Sequence, residues 1–191
     1  MKPCVFLDRD DTLIRNNTLP PPANPHPAWK PGDLSDPSRV ELLPGALDAC
    51  RLLRGAGFAL VIITNQGCVA RGSATIADVE AVNTRVGELL ADGAGGPLID
   101  RFYYCPYHPQ GNVPEYTREH ELRKPAPGML LAAKRDLDLD MDRSWLIGDA
   151  PRDCESGVNA GLGADRCLLI GEAGAFADVL AAASHVVERS A

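Results

Sequence analysis

Short runs of strand-forming residues recur along this chain, and segments with helical periodicity separate several of them. This alternation is typical of an α/β fold, in which helices cover both faces of a parallel sheet. The second run is apolar throughout, which predicts a strand deep in the sheet. We therefore predict a three-layer, Rossmann-like α/β architecture. The predicted strands are Cys4–Leu7, Phe58–Thr64, Arg101–Cys105, Ser144–Ile147 and Cys167–Ile170.

Three segments between these runs have the signals of helices. Thr75 is a predicted N-cap, with Asp78 at the reciprocal capping position, for a helix over about residues 76–92. Pro-Gly pairs begin two more predicted helices, at about residues 44–54 and 127–137.

The length and charge of the chain restrict its domain count and its partners. With 191 residues, it fits one domain over residues 1–191, and we expect no large cap domain. A net charge of -7 disfavours a nucleic-acid partner. No apolar run approaches the roughly 20 residues of a membrane helix, so we expect no membrane partner and a cytoplasmic location. We also expect a monomer.

Residues 18–39 depart from the alternating pattern. Seven prolines fall between Pro20 and Pro37, together with Trp29, and no periodic pattern of either kind is left. A loop of this length in a compact domain is either functional or disordered. Because the loop follows the first strand, it is either a cover over the substrate site or a floppy insertion.

Two acidic residues stand directly after the first predicted strand. Asp8 and Asp10 are two positions apart, so an extended backbone turns both side chains to the same side. Ligands of open α/β sheets bind at this end of the strands. Paired carboxylates there can hold Mg²⁺, which prefers oxygen ligands and often keeps substrate phosphate oxygens. By itself, however, such a pair is more often a solvated loop or a helix cap.

Further polar residues stand at other predicted strand ends and loops, in an order that suits the same crevice. Each one has an ordinary structural explanation, as a turn threonine, a surface basic pair or a turn acid. Together they predict that a phosphate and a metal ion bind in this crevice. These residues are Thr64, Asn65, Arg123, Lys124, Asp149 and Asp153.

Four short motifs resemble those of the haloacid dehalogenase (HAD) superfamily of phosphatases. They are D-R-D-D-T at 8–12, T-N-Q at 64–66, R-K-P at 123–125 and G-D-x-x-x-D at 148–153. More narrowly, the segments at 64–72, 105–111 and 123–129 resemble D-glycero-D-manno-heptose 1,7-bisphosphate 7-phosphatases and histidinol-phosphate phosphatases. The resemblance extends from Cys4 to about Cys167 and implies a HAD-like fold.

The resemblance implies a role for each acidic residue. Asp8 would attack phosphorus and form an aspartyl-phosphate, which divides one difficult displacement into two easier ones. Asp10 would protonate the leaving oxygen and later take a proton from water. Mg²⁺ would be held by Asp8, the Asp10 carbonyl and Asp149, with Asp153 as a further ligand or an anchor behind them.

The resemblance also implies the residues that hold the substrate. Thr64 and Lys124 would bind the transferring phosphoryl oxygens, where positioning and charge stabilisation dominate. Asn65 would stand beside them in the substrate site. Arg123 would contact the distal part of the substrate.

The predicted zinc loop of this chain is degenerate. Relatives carry a structural zinc bound by C-x-H and C-x-C, and residues 105–122 here have Tyr107 and Leu122 at two of the four ligand positions. A closed zinc site needs four nitrogen or sulfur ligands. We therefore expect no structural zinc, and a loop that is ordered by packing and hydrogen bonds or is mobile. The remaining candidate ligands are Cys105, His108 and His120.

Two further departures concern the substrate. The family commonly has glycine where this chain has Asp11, so the extra carboxylate either points into a helix cap or weakens substrate binding. Heptose phosphatases often have lysine where this chain has Ala150. Together with the proline-rich loop, these differences leave the sugar open.

We predict a Mg²⁺-dependent phosphatase of a small phosphomonoester, for example D-glycero-D-manno-heptose 1,7-bisphosphate. Histidinol phosphate is an alternative substrate. A nucleic-acid 3′-phosphatase is a second alternative, but it would need a basic groove and stacking aromatics. A non-catalytic module that binds a phosphorylated ligand is the third, and the presence of both Asp8 and Asp10 argues against it.

Overall fold

The computed structural model describes residues 1–172 and 174–190. Its centre is a five-stranded, all-parallel sheet with the order β3-β2-β1-β4-β5. This confirms the predicted α/β fold class, and the predicted strand bounds are correct to within one residue. The strands are β1 (Cys4–Leu7), β2 (Ala59–Asn65), β3 (Arg101–Cys105), β4 (Trp145–Gly148) and β5 (Cys167–Leu169).

Helices cover both faces of this sheet. The structure adds three helices that the sequence analysis did not predict, α2, α5 and α6. In the described ranges, no helix has both the length and the apolar composition needed to cross a membrane. The helices are α1 (Ala46–Gly55), α2 (Cys68–Arg71), α3 (Ile76–Leu89), α4 (Gly128–Leu137), α5 (Pro151–Asn159) and α6 (Val179–Ser190).

Helix α3 begins as predicted and ends earlier than predicted. The Thr75 hydroxyl accepts a hydrogen bond from the Asp78 N–H at 3.2 Å, and the Asp78 carboxylate accepts one from the Thr75 N–H at 2.8 Å. The predicted end at residue 92 is wrong because Asp92 builds the following turn instead. Its carboxylate accepts hydrogen bonds from the backbone N–H groups of Ala94 and Gly96.

Alternate strand residues supply two separate hydrophobic layers, as the two-residue period of a strand requires. One face of the sheet packs with residues of α1, α3 and α6, and the other packs with α4. On β1, Val5 and Leu7 belong to the first layer, and Cys4 and Phe6 belong to the second. All four are fully buried, so the strand is anchored on both sides and its carboxyl end is held in place.

In the order β3-β2-β1-β4-β5, the direction in which successive strands are added to the sheet reverses between β1 and β4. Ligands bind at such a switch point, beyond the carboxyl ends of the strands. The middle strand is β1, and β2 lies inside the sheet between β1 and β3. Leu7 pairs with Ile62 of β2 and with Ile147 of β4, and the Asp8 N–H donates to the Ile147 carbonyl at 3.0 Å. Asp8 therefore emerges directly at the switch point.

The proline-rich loop is attached to the body of the domain by buried polar contacts. The carboxylate of Asp33 is buried, pairs with the guanidinium of Arg71 and accepts a hydrogen bond from the Ser73 hydroxyl at 2.6 Å. The indole N–H of Trp29 donates to the Asp33 carbonyl at 2.9 Å. These contacts hold the loop against α2 and the turn that follows it.

Candidate active site

A polar cavity of about 130 Å³ lies beyond the carboxyl ends of β1, β2 and β4. A larger cavity of about 440 Å³ near Phe58 and Arg166 has no acidic residue in its lining, so its size does not make it the catalytic site. Six of the predicted site residues line the polar cavity: Asp8, Asp10, Thr64, Asn65, Lys124 and Asp149.

Lys124 is buried at the base of this cavity between two carboxylates. Its ammonium group contacts Asp8 Oδ1, lies 2.7 Å from Asp153 Oδ1 and donates to the Ile63 carbonyl at 3.0 Å. The hydrogen bonds to Asp8 and to the Ile63 carbonyl use two of its three N–H donors, and Asp153 is its ion-pair partner. The Lys124 side chain is 1% exposed and that of Asp153 is fully buried. Lys124 is therefore fixed beside the carboxylate of Asp8.

The acidic groups outnumber the cations at this point, and their pKa values show the imbalance. Burial raises the pKa of Asp8 well above its usual value, and the nearby carboxylates raise it further while Lys124 opposes them. Burial and the charge of Asp153 raise the pKa of Asp149 to about 6. Burial lowers the pKa of Lys124, but the charges of Asp8 and Asp153 outweigh it, and the net pKa is raised. A cation would stabilise this cluster.

The geometry of the acidic cluster fits a divalent cation. Oxygen atoms of Asp8, Asp149 and Asp153 all lie within 4.8 Å of one another. Two oxygens on opposite sides of Mg²⁺ are about 4.2 Å apart. Asp149 Oδ1 is buried and has no hydrogen-bond partner, which suits an atom directed at a metal ion. With all three acids ionised and Lys124 charged, two negative charges remain uncompensated, and Mg²⁺ would balance them.

Asp10 lies beside this cluster, and its carboxylate is directed elsewhere. The Thr64 hydroxyl and the Gln66 side-chain amide donate to Asp10 Oδ2 at 2.9 and 2.8 Å, and Arg9 pairs with Asp10 at 3.1 Å. The carboxylate of Asp10 is therefore not one of the clustered oxygens described above. This separation is compatible with the two predicted roles of Asp10, in which its side chain transfers a proton and its backbone carbonyl contacts the metal ion.

The side chain of Asn65 is hydrogen-bonded to the backbone of Lys124. Its side-chain amide donates to the Lys124 carbonyl at 3.1 Å and accepts from the Lys124 N–H at 3.0 Å. Asn65 also lines the cavity, so its predicted substrate contact stays a prediction. Arg123 lies outside the cavity lining, and its guanidinium donates to the Tyr107 carbonyl at 3.3 Å. Burial and the nearby charge of Arg152 lower the pKa of Arg123, whereas Cys105 raises it.

Asp11 caps a turn of the following loop. Its carboxylate accepts hydrogen bonds from the backbone N–H groups of Asn16 and Asn17, at 2.9 and 3.1 Å. Its φ of 59° lies in the left-handed region, which glycine and aspartate tolerate better than most residues. The predicted helix cap is thus a turn cap. The charge of Asp11 still raises the pKa of Asp149.

The candidate zinc ligands have other partners. The ring of His120 stacks on Tyr107 at 4.0 Å and 13°, and the guanidinium of Arg118 lies 4.3 Å from the centroid of the Tyr107 ring. The Nδ1 atoms of His108 and His120 accept backbone hydrogen bonds at 3.0 and 3.1 Å. Within the described ranges, Cys105 and these histidines do not form a cluster with metal-ligand spacing. In this arrangement these residues do not fit a closed zinc site.

Three residues at the site were not among the predicted set. Arg9 and Gln66 contact Asp10, and Asn83 of α3 accepts a hydrogen bond from Arg9 at 2.7 Å. Gln66 stands in the T-N-Q motif, so its position was available from the sequence. Asn83 also left a signal, because it is a polar residue on the otherwise apolar buried face of α3.

Comparison with known proteins assigns this fold to one class. A profile described as HAD-hydrolase-like matches residues 121–185. A protein from Mesorhizobium loti, described as a HAD-like phosphatase, has a TM-score of 0.81 at 32% identity and covers 99% of this chain and 87% of that one. The D,D-heptose 1,7-bisphosphate phosphatase of B. bronchiseptica, crystallised with magnesium and phosphate, has a TM-score of 0.74 at 24% identity and covers 98% and 99% of the two chains. With these comparisons, the fold and the site define a HAD-type phosphatase.

Sequence relatives specify the family. The protein of Escherichia coli K12 is 38% identical over 161 residues, which are 84% of this chain and 76% of that one. The protein of Mesorhizobium japonicum is 38% identical over 171 residues, which are 90% and 71% of the two chains. Both are named D-glycero-β-D-manno-heptose-1,7-bisphosphate 7-phosphatase. This chain therefore belongs to the family of these phosphatases within the HAD superfamily, which confirms the resemblance.

Proposed function

We propose that this phosphatase uses Mg²⁺ and an aspartyl-phosphate on Asp8, and that its substrate is a small sugar phosphate, most specifically D-glycero-D-manno-heptose 1,7-bisphosphate. The observation that carries the proposal is the buried cluster at the switch point, where Asp8, Asp149 and Lys124 meet at one cavity. The cluster combines a carboxylate nucleophile, oxygen ligands for a cation and a fixed ammonium group for a phosphoryl oxygen.

In the first step, a carboxylate oxygen of Asp8 attacks phosphorus, and the bond from phosphorus to the ester oxygen breaks. Asp10 gives its proton to the departing oxygen. In the second step, Asp10 takes a proton from water, the water oxygen attacks phosphorus, and the bond to Asp8 breaks to release phosphate. Each step transfers one proton through one positioned side chain, which contributes about 10²–10⁴-fold to the rate of such reactions.

Four residues would support this chemistry without taking part in bond changes. Lys124 and Thr64 would hold phosphoryl oxygens, and Asn65 would keep the Lys124 backbone in place, beside the substrate. Arg123 would contact the distal part of the substrate. Mg²⁺, held by Asp8, Asp149 and the carbonyl of Asp10 with Asp153 beside it, would neutralise the charge that develops on the phosphoryl group.

The substrate class has two supports. The relatives named above carry heptose bisphosphate in their names, and the cavity is small. The net charge of -7 disfavours a nucleic-acid substrate. The expected monomer, the cytoplasmic location and the absence of a structural zinc stay predictions.

A substrate panel tests the proposal directly. Phosphate release is measured from heptose 1,7-bisphosphate, histidinol phosphate and a 3′-phosphorylated oligonucleotide, each with Mg²⁺ and with EDTA. We expect the highest kcat/KM for the heptose bisphosphate and no turnover in EDTA. Preference for histidinol phosphate or the oligonucleotide would replace the proposed substrate. Binding without turnover on all three would support a non-catalytic module.

The covalent step has its own test. Asp8→Asn is expected to abolish turnover while the circular dichroism spectrum stays that of the folded protein. Rapid acid quench of the wild-type reaction, followed by peptide mass spectrometry, should find the phosphoryl group on the peptide that contains Asp8. Near-normal turnover of Asp8→Asn would contradict the assignment of the nucleophile.

A further inference from the structure

The carboxylate of Asp10 is held by donors from two strand ends. Two nitrogens of Arg9 lie 3.1 and 3.3 Å from Oδ1, and Thr64 and Gln66 donate to Oδ2 at 2.9 and 2.8 Å. The Gln66 amide also donates to the Thr64 hydroxyl at 2.8 Å. Each of these contacts places a donor against one of the two Asp10 oxygens, so the position and the plane of its carboxyl group are fixed from both sides.

Arg9 is the unusual member of this set because its charge has no access to solvent. Its side chain is 0% exposed, and its third guanidinium nitrogen, Nη1, donates to Asn83 Oδ1 at 2.7 Å. Asn83 is itself buried on α3, between Val82 and Val86 of the first hydrophobic layer. A buried polar group without a partner is costly, and Arg9 is the partner that accounts for Asn83 at this position. The contact joins residues 74 positions apart.

We propose that Arg9, Asn83 and Gln66 are positioning residues that orient the carboxyl group of Asp10 for proton transfer to the leaving oxygen. The proposal rests on the proposed function, which makes Asp10 the acid. When the bond from phosphorus to oxygen breaks, the ester oxygen keeps the electron pair and takes the proton of Asp10. The negative charge that forms on Asp10 then lies against Arg9 and two further donors. Asn83 acts one step back, by fixing the plane of the guanidinium group.

This role predicts a dependence on the leaving group that a purely structural role does not produce. An alkoxide is a strong base and leaves readily only when it is protonated. A p-nitrophenolate is a weak base and leaves without help. Loss of the orientation of Asp10 should therefore slow the hydrolysis of an alkyl phosphate more than that of p-nitrophenyl phosphate. The measured quantity is the kcat/KM for the alkyl phosphate divided by the kcat/KM for p-nitrophenyl phosphate, and this ratio should fall.

The first experiment changes Asn83 in two ways of similar size. Asn83→Leu removes the acceptor for Arg9, and Asn83→Asp retains an acceptor oxygen. With glycerol 2-phosphate and p-nitrophenyl phosphate as the two substrates, we expect the ratio to fall roughly tenfold in Asn83→Leu, within the range that general acid catalysis contributes. We expect Asn83→Asp to restore much of it. Val82→Ala, also buried on α3, controls for lost stability and should leave the ratio unchanged.

A second variant keeps the proposal testable if Asn83→Leu does not fold. Gln66→Met retains the length of the side chain and removes the donor to Asp10, and it should lower the same ratio. Asp10→Asn separates the two proposals. If Asp10→Asn leaves the ratio unchanged, Asp10 is not the acid, and its role in the proposed function and the positioning role both fail. If Asp10→Asn lowers the ratio and the folded Asn83 and Gln66 variants do not, only the positioning role is overturned.

Discussion

The substitution Asp149→Asn should stabilise the metal-free protein, because it removes a charge from a crowded acidic cluster. Burial and the charges of Asp153 and Asp11, opposed by Arg152, together raise the pKa of Asp149 to about 6. In the unfolded chain, an aspartate has a pKa of about 3.9. Folding therefore disfavours the ionised form of Asp149.

The sign and size of the effect follow from this difference. Since the pKa is higher in the folded state, ionisation of Asp149 lowers the free energy of unfolding as pH rises from about 4 to about 6, and the loss is constant above that range. A difference of about 2 pH units corresponds to about 3 kcal/mol. The side chain is only partly buried, so solvent screening reduces this to about 1–2 kcal/mol. The asparagine variant should be more stable by that amount at about pH 7.5 and gain nothing near pH 4.

Urea unfolding in EDTA at the two pH values measures this difference. Asp142→Asn, at an exposed position, is the matched control and should change little. In Mg²⁺ the order should reverse, because a ligand that binds the folded state stabilises it by mass action and the variant binds the cation less well. The reasoning would be refuted by an Asp149→Asn protein less stable than wild type in EDTA at about pH 7.5. An equal gain at pH 4 would refute it as well.

Three further substitutions test other contacts. Asn65→Leu removes the two hydrogen bonds to the Lys124 backbone. We expect kcat to fall and the free energy of unfolding, measured in urea, to drop by about 1–3 kcal/mol. A wild-type kcat would contradict this expectation. Tyr107→Ala removes the stack on His120 and should raise KM more than it lowers kcat. Tyr107→Phe keeps the ring and should match wild type. Equal kinetics for the two variants would contradict a role for the stack. Asp33→Ala removes the buried partner of Arg71, so limited proteolysis within residues 18–39 should become faster, unlike in the exposed control Asp36→Ala.

Local signals in the sequence predicted the strands and the principal acids. The apolar runs that became β1 and β2 are buried on both faces, so their composition reports their environment directly. The capping pair of Thr75 and Asp78 is also local, and it forms as predicted. Helix α6 was missed because alanines dilute its apolar pattern, although Asp178 caps its first turn by accepting a hydrogen bond from the Ala181 N–H at 2.9 Å.

The chain order of the residues determined that this is an α/β protein with carboxylates and a threonine at the ends of its strands and a lysine in the loop before α4, because strand and cap signals act over a few neighbouring positions. The tertiary structure alone decided which of those groups touch. Lys124 lies between Asp8 and Asp153, and its contact with Asp8 joins residues 116 positions apart. The contact between Asn83 and Arg9 joins residues 74 positions apart. Such contacts depend on the strand order and on the packing of α3 against the sheet. No short segment encodes either of these.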